Sequence, residues 1–320
     1  MKKRYYVLFV LLFLLSLGAI FTTLLFDLTG QRVQRRFLDI SVITREADRS
    51  VWDSIRQGMD QAAKDLDVEL RLVTLTVDNS VDEQRALLDR EVQGGADAII
   101  LSPADSDAMA EEIQKAAVKL PVVAMESDVE TDRLTACIAA DNAAMGRALA
   151  KEILAGMPSG SDIVLLDSGG PSRGVAQRLA GAVETFEAAG ETVRKMPLPN
   201  GLMAGAEAMA KLIAEGPDAI VAFEPTALET AARAAQLVQH PPTLYGIGST
   251  GAIASSLDRG IITAIAAQND FAEGYLAVSA AVRAVENKPP EHSEPIGFSI
   301  IHRDDMYDPD HQKLLFPFVR

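Results

Sequence analysis

Cysteine is nearly absent from this chain: Cys137 is the only one among 320 residues. That excludes an intramolecular disulfide framework and a cysteine-built structural zinc site. In the stretch Ala136-Cys137-Ile138-Ala139 the thiol reads as a small buried hydrophobe. Histidine offers no metal site either, since His240, His292, His302 and His311 are scattered without ligand spacing. Positive charge is in short supply, with 30 Lys plus Arg against 45 Asp plus Glu and a net charge of −15. With no basic stripe interleaved with aromatics, nucleic acid is excluded as a partner. Catalytic signatures are missing too: there is no nucleophile elbow, no P-loop, no H-E-x-x-H and no C-x-x-C. These gaps point to a protein that is not an enzyme and uses no cofactor and no metal.

One long apolar run is present. Val7 to Phe26 is twenty residues without a charge, and its only polar members are Ser16, Thr22 and Thr23. Such a length spans a bilayer core as a helix and exceeds the usual apolar core of a cleaved signal. A cleaved secretory signal with its cut near Thr22-Thr23 or Thr29-Gly30, or a buried helix, are the alternatives. The run holds no cysteine, which excludes an N-terminal lipid anchor. Lys2, Lys3 and Arg4 precede it, while Arg32, Arg35 and Arg36 follow. The short basic N-terminus and the acidic body favour an outward-facing body. The expected order is a cytoplasmic stub at 1–6, a transmembrane signal-anchor at 7–26 and a stalk at 27–38.

Residues 39–320 are too many for one ordinary core and suit two lobes. Along them, periods of two and of 3.6 alternate. Strands are predicted at 38–43, 70–77, 98–101, 122–125, 136–139, 163–166, 192–196, 219–223, 243–247 and 261–266. Helices are predicted between them, including 81–92 with a Gly94-Gly95 stop and a last long one at 271–285. Short, wholly apolar strands such as Ala98–Leu101 fit parallel sheets covered on both faces, built from right-handed βαβ units. An echo supports duplication: Gly95-Ala96-Asp97-Ala98-Ile99-Ile100 and Gly216-Pro217-Asp218-Ala219-Ile220-Val221 lie 121 residues apart. That distance is too long for a solenoid period.

Polar residues gather just beyond the predicted strand ends: Glu46, Asp48 and Arg49; Glu126 and Asp128; Asp141 and Asn142; Arg173; Glu224; Gln268 and Asn269. Open α/β sheets bind ligands in the crevice outside those ends. Trp52, the only tryptophan, starts the first helix at the same edge. It suits the face of a sugar or polyol, and it equally continues the core stripe of Ile55 and Met59. The glycine-containing turn Asp167–Gly174 precedes a helix and could cradle an anion, but it lacks G-x-G-x-x-G spacing and Pro171 removes a donor.

The motifs D-x-x-R-Q-G-M-x-x-A-A-K-D-L at Asp53–Leu66 and G-A-D-A-I-I-L-S-P-A-D-S-D-A at Gly95–Ala108 carry a family likeness. So do P-V-V-A-M at Pro121–Met125, I-A-A-D-N at Ile138–Asn142 and Q-N-D-F-A-E-G-Y-L-A-V at Gln268–Val278. Together they resemble the type I periplasmic-binding-protein-like superfamily, in the sugar-binding branch of ribose- and galactose-binding proteins and LacI-type effector domains. The resemblance implies an α/β fold of two Rossmann-like, doubly wound parallel-sheet lobes joined by a hinge, preceded here by the transmembrane helix. Lobe 1 would comprise 39–140 with 269–297, and lobe 2 would comprise 141–268 with 298–320.

The resemblance also implies a ligand-binding set of Asp48, Arg49, Trp52, Glu126, Asp141, Arg173, Glu224 and Gln268. Trp52 matches a ring-stacking aromatic, and Glu126 stands where aspartate is commoner. Ala176 occupies the usual position of a clamping arginine, with Arg173 three residues earlier. Glu224-Pro225 replaces an Asn-Asp pair, and Gly248 replaces an aspartate. The implied function is extracytoplasmic capture of a small polar molecule, a sugar or polyol, by a monomeric ectodomain. Delivery to an ABC permease is the first role, and presentation to a sensor histidine kinase is the alternative.

Overall fold

The computed structural model describes residues 14–18, 21, 37–47, 49–168, 172–199, 202–289 and 294–316, without the side chains of Arg49 and Leu202. Met1–Phe37 and Leu38–Arg320 are separate compact units. In the first, residues 14–18 and 21 are helical and exposed. Among the described residues no helix is long and apolar enough to cross a membrane. The rest of the expected Val7–Phe26 span lies outside the described residues.

The second unit holds two sheets. Strands β1 (Leu38–Ile43), β2 (Val68–Val73), β3 (Ala98–Leu101), β4 (Val122–Met125) and β5 (Ala136–Ile138) form a five-stranded parallel sheet in the order β2-β1-β3-β4-β5. The other sheet has six strands: β6 (Ile163–Asp167), β7 (Val193–Pro197), β8 (Ala219–Ala222), β9 (Thr243–Ile247), β10 (Ala264–Gln268) and β11 (Phe298–His302). Its order is β7-β6-β8-β9-β10-β11, with β11 antiparallel to β10. The first five strands of both sheets therefore share one order.

Ten helices cover the sheets among the described residues: α1 (Asp53–Leu66), α2 (Val81–Gly94), α3 (Ala110–Ala117), α4 (Asn142–Gly156), α5 (Arg173–Ala188), α6 (Leu202–Glu215), α7 (Pro225–Ala235), α8 (Gly251–Asp258), α9 (Asp270–Val285) and α10 (Pro309–Leu315). Core strands such as β3, β4 and β8 are buried at every residue, as double coverage requires. The chain passes between the sheets more than once. After β5, α4 packs on β9, β10 and β11; after β10, α9 returns to β1, β3 and β4; β11 then rejoins the second sheet. At this crossing the Asn269 N–H donates to Gly297 O at 3.0 Å and the Ile296 N–H donates to Ala139 O at 2.9 Å.

The repeated Gly-x-Asp turn does the same work in each sheet. Gly95 and Gly216 both hold positive φ, 85° and 76°, where glycine meets no Cβ penalty. The carboxylate of Asp97 then accepts the Asp39 N–H at 2.9 Å, and that of Asp218 accepts the Asp162 N–H at 2.8 Å. Each turn thus locks the start of its third strand to the start of its first. The echo is a duplicated structural joint.

Two strands, β2 and β10, differ from their expected bounds by more than one residue, and β2 also ends at Val73 rather than Val77. β2 begins at Val68 rather than Leu70 because Asp67 takes a left-handed conformation (φ 58°) that ends α1 and starts the strand at once. β10 begins at Ala264 rather than Ile261 because the N–H groups of Ile261 and Ile262 still bond Ser256 O at the end of α8. This shift carries Gln268 to the last position of β10. Cys137 corrects another expectation: its side chain is exposed on β5, the outer strand of its sheet.

Two helix pairs, α1 with α9 and α4 with α5, cross at glycines. A Cβ on Gly58 would lie 1.9 Å from Phe271 O, and one on Gly274 2.0 Å from Ile55 O. Likewise a Cβ on Gly146 would lie 1.9 Å from Arg178 O, and one on Gly181 2.3 Å from Ala143 O. These contacts are with backbone, so no side chain can move aside. Gly146→Ala and Gly274→Ala are each expected to destabilise the protein by about 3 kcal/mol in urea denaturation. Gly94→Ala, where a Cβ meets nothing within 4 Å, is expected to change stability by less than about 0.5 kcal/mol.

Candidate functional site

In each sheet the strand order reverses between its first and third strands, since β1 lies between β2 and β3 and β6 lies between β7 and β8. The carboxyl ends of those strands are where an open α/β sheet takes a ligand. Gln84 of α2 pins one switch point: its amide N–H groups donate to Thr44 O at 3.3 Å and Ser102 O at 2.8 Å, and its carbonyl accepts the Ala104 N–H at 2.7 Å. The residues after β1, Arg45 and Glu46, are both 4% exposed.

A cavity of about 210 Å³ opens there, lined by Arg45, Glu46 and Val51 from one sheet and by Ser168, Glu224 and Glu229 from the other, among others. A smaller one of about 30 Å³ adjoins Glu126, Arg178, Gly248, Ser249, Gln268 and Asp270. Val51 lines both. A wider open groove of about 670 Å³ runs past Arg173 and the exposed Asp128, Glu130 and Asp132. It lacks the buried charges, which belong to the two smaller spaces.

One guanidinium organises the charges. Arg45 Nη2 lies 2.8 Å from Glu46 and 3.6 Å from Glu224, and its Nε lies 3.6 Å from Glu126. Its Nη1 donates to Asn79 Oδ1 at 3.1 Å. Glu126 sits at φ 61°, uncommon for a residue with a side chain. Its N–H is held by Glu273 Oε1 at 2.8 Å and its carbonyl by Asn142 Nδ2 at 3.0 Å. Ser102 donates its hydroxyl to the Glu126 carboxylate at 2.6 Å. Behind this, Arg178 Nε donates to Asn142 Oδ1 at 2.7 Å and its Nη1 to Phe223 O at 3.2 Å. Gln268 Nε2 donates to Glu273 Oε2 at 2.6 Å, and Ser249 donates to Asp270.

This two-sheet architecture, with charged strand ends facing one cleft, has a match in sequence: the periplasmic binding protein domain family covers residues 40–289. The chain belongs to that family. It is 25% identical to the ribose import binding protein of Bacillus subtilis (strain 168), over 71% of this chain and 75% of the relative. In structure it resembles a carbohydrate transporter solute-binding protein from Agrobacterium radiobacter in complex with D-arabinose (TM-score 0.80, 20% identity, 88% of this chain, 99% of that one). It is also similar to an ABC transporter solute-binding protein from Agrobacterium vitis with bound D-fucose (TM-score 0.80, 18% identity, 87% and 100%).

The residues singled out in sequence take different positions in this periplasmic binding protein. Glu126, Glu224 and Gln268 line the two cavities. Trp52 is only 2% exposed and belongs to the core, with its indole N–H donating to Glu46 Oε2 at 2.7 Å, while its neighbour Val51 lines both cavities. Asp141 caps α4, accepting the Ala144 N–H at 2.8 Å, and is exposed. Arg173 stands at the rim, paired with Asp107 at 2.6 Å and Glu130 at 3.5 Å. Asp48 lies outside the described residues, as does the middle of the glycine-containing turn. Arg49 is described only in its backbone, in the short 3-10 turn before α1. At Gly248 (φ 147°) a Cβ would meet Ile253 Cδ1 at 2.8 Å and Pro225 Cγ at 3.1 Å, so an aspartate there would need those side chains to shift and a backbone conformation that disfavours it.

Missing from the sequence-based set are Arg45, Arg178, Asp270 and Glu273. Arg178 carried one readable signal: it lies between Gly174 and Gly181 on one face of α5, where α4 approaches closely. Burial shapes the acidity of the whole group. It pushes Glu46 up to about 7, with Glu126 and Glu224 adding to the effect and Arg45 opposing it. Burial likewise raises Asp270, and raises Glu273 well above the usual range with help from Glu126 and Asp270. Burial works against the charge of Arg45, but Glu46, Glu126 and Glu224 outweigh it and hold that guanidinium charged.

A carboxyl whose folded-state pKa is raised favours folding only while protonated. Between pH 4.5 and 7 the folded state keeps the Glu46 proton that the unfolded chain has released, so stability falls as pH rises through that window. Asp162, held low by its hydrogen bond to Arg194, acts in the opposite direction and below that window. Urea midpoints of the ligand-free protein are expected to decline across it, and Glu46→Gln is expected to flatten the decline. A midpoint rising with pH, or a slope unchanged in the variant, would contradict this assignment.

Proposed function

We propose that the chain is an extracytoplasmic solute-binding protein that captures a small polyhydroxylated ligand, a monosaccharide or polyol, for an ABC-type permease. The observation that carries this reading is a larger cavity at the two switch points and a smaller one at the ends of β4, β9 and β10, each walled by charged groups. Carboxylates accept from sugar hydroxyls, and guanidinium N–H groups donate to ring and hydroxyl oxygens. Shielded from water, such bonds gain strength and fix the ligand's orientation. The names of the relatives support the same class of ligand.

Residues 39–140 with 269–297 act as one lobe and residues 141–268 with 298–320 as the other. The crossings near Ala140, Asn269 and Ile296 serve as the hinge, and the Arg45–Glu224 pair joins the lobes across the cleft. The uncharged run Val7–Phe26 tethers the ectodomain to the cell membrane in this reading, raising its local concentration near a membrane partner.

Calorimetry with a panel of pentoses, hexoses and polyols, with the ligand recovered and weighed by mass spectrometry, tests capture without chemistry. One-to-one binding and an unaltered ligand are expected. Gln268→Ala is expected to weaken binding by about 1–3 kcal/mol through lost ligand hydrogen bonds. Steady conversion of the ligand, or no binding by any member of the panel or its amino derivatives, would overturn the reading.

A further inference from the structure

The walls of the cleft hold more negative than positive charge. Four carboxylates and two guanidiniums line the larger cavity, and two carboxylates and one guanidinium line the smaller. Directly behind them lies Glu273, fully buried and bonded to the Glu126 N–H. The buried cations are largely committed elsewhere. Arg178 gives its Nε and Nη1 donors to Asn142 Oδ1 and Phe223 O, neither of which is charged. Arg45 reaches Glu46 at 2.8 Å but stands 3.6 Å from both Glu126 and Glu224, beyond hydrogen-bonding distance. Among the described residues the Glu224 carboxylate, 9% exposed, has that single ion pair and no hydrogen bond.

An independent observation concerns the carbonyl of Gln268. The residue is 8% exposed, lines the smaller cavity beside Glu126, and its Oε1 is buried without a partner among the described residues. Among the described residues the groups of the cleft left without a hydrogen-bond partner thus include two acceptors, the Glu224 carboxylate and Gln268 Oε1. Arg45 Nε is an unmet donor at the same place. A complementary ligand carries several donors, a positive charge, and an oxygen for Arg45.

Resting on the solute-capture reading above, we propose that the ligand carries a cationic nitrogen: an amino sugar or amino polyol whose ammonium lodges against Glu224 and Glu126. An ammonium brings three donors and one charge, whereas a hydroxyl brings one donor and none. Hydroxyls of the same ligand reach Gln268 Oε1, and a ring or hydroxyl oxygen takes Arg45 Nε.

The test is calorimetry on the full chain at about pH 6.5, where a primary amine of this kind keeps its proton. The probes are D-glucosamine and D-galactosamine, each paired with its neutral hexose. The amino member of a pair is expected to bind about tenfold to a hundredfold more tightly, the size of a hydrogen bond to a charged group. Glu224→Gln is expected to reduce that preference to about threefold or less. A neutral hexose binding as well as its amine would overturn the charge assignment and leave sugar capture standing. An undiminished preference in Glu224→Gln would overturn the role given to that residue. No binding by either pair would overturn the proposal, and failure of the wider neutral panel as well would take the solute-capture reading with it.

Discussion

Three buried or nearly buried carboxylates, Glu46, Glu126 and Glu224, converge on the single guanidinium of Arg45. Two of them come from the sheet that carries Arg45, and Glu224 comes from the end of β8 in the other. Taking these charges out of water is costly, and mutual attraction repays that cost only where geometry and hydrogen bonds are good. Here the repayment is partial, because only Glu46 lies at hydrogen-bond distance. The arrangement therefore holds the two lobes together while leaving polar groups unmet. Such a cleft gains from admitting a ligand that meets those groups.

The rest of the structure serves to keep those groups in place. Gly146 lets α4 approach the backbone of Arg178, and the Arg178 side chain then grips Asn142, which holds the carbonyl of Glu126. Gly58 and Gly274 do the equivalent for α1 and α9, and α9 delivers Glu273 to the Glu126 N–H. The unusual φ of Glu126 is thus fixed by bonds to the peptide units on both sides of its Cα. Strain of this kind persists where surrounding contacts over-determine it. The duplicated Gly-x-Asp joints set the strand starts, and the glycine crossings set the helices against the sheets.

Much of this fold could be read from the residues because its determinants are local. Wholly apolar strands announced buried parallel sheets, and Gly95 and Gly216 marked turns that only a freely twisting backbone makes well. The site was only half legible, since its determinants are long-range. Glu126, Glu224 and Gln268 sit at strand ends and could be found by position. Arg45 and Glu273 could not, because a charged residue near a strand or on a helix looks solvated until partners far along the chain enclose it. Trp52 continues the helical stripe of Ile55 and Met59 into the core, one of the two readings its spacing allowed. Asp141 is a helix cap, as its Asp-Asn context allowed, and its neighbour Asn142 links Glu126 to Arg178.

Trp52 nonetheless reports on the site. It is the chain's only tryptophan, and its indole N–H donates to Glu46, which lines the larger cavity. A ligand entering between Arg45 and Glu224 alters the field on Glu46 and hence on the indole. The most direct measurement of the central claim is a fluorescence titration of Trp52 with a ligand whose affinity is known from calorimetry. The expected result is a saturable change in emission with a midpoint equal to the calorimetric dissociation constant. Full calorimetric binding with an unchanged Trp52 emission would put the ligand elsewhere and contradict the account.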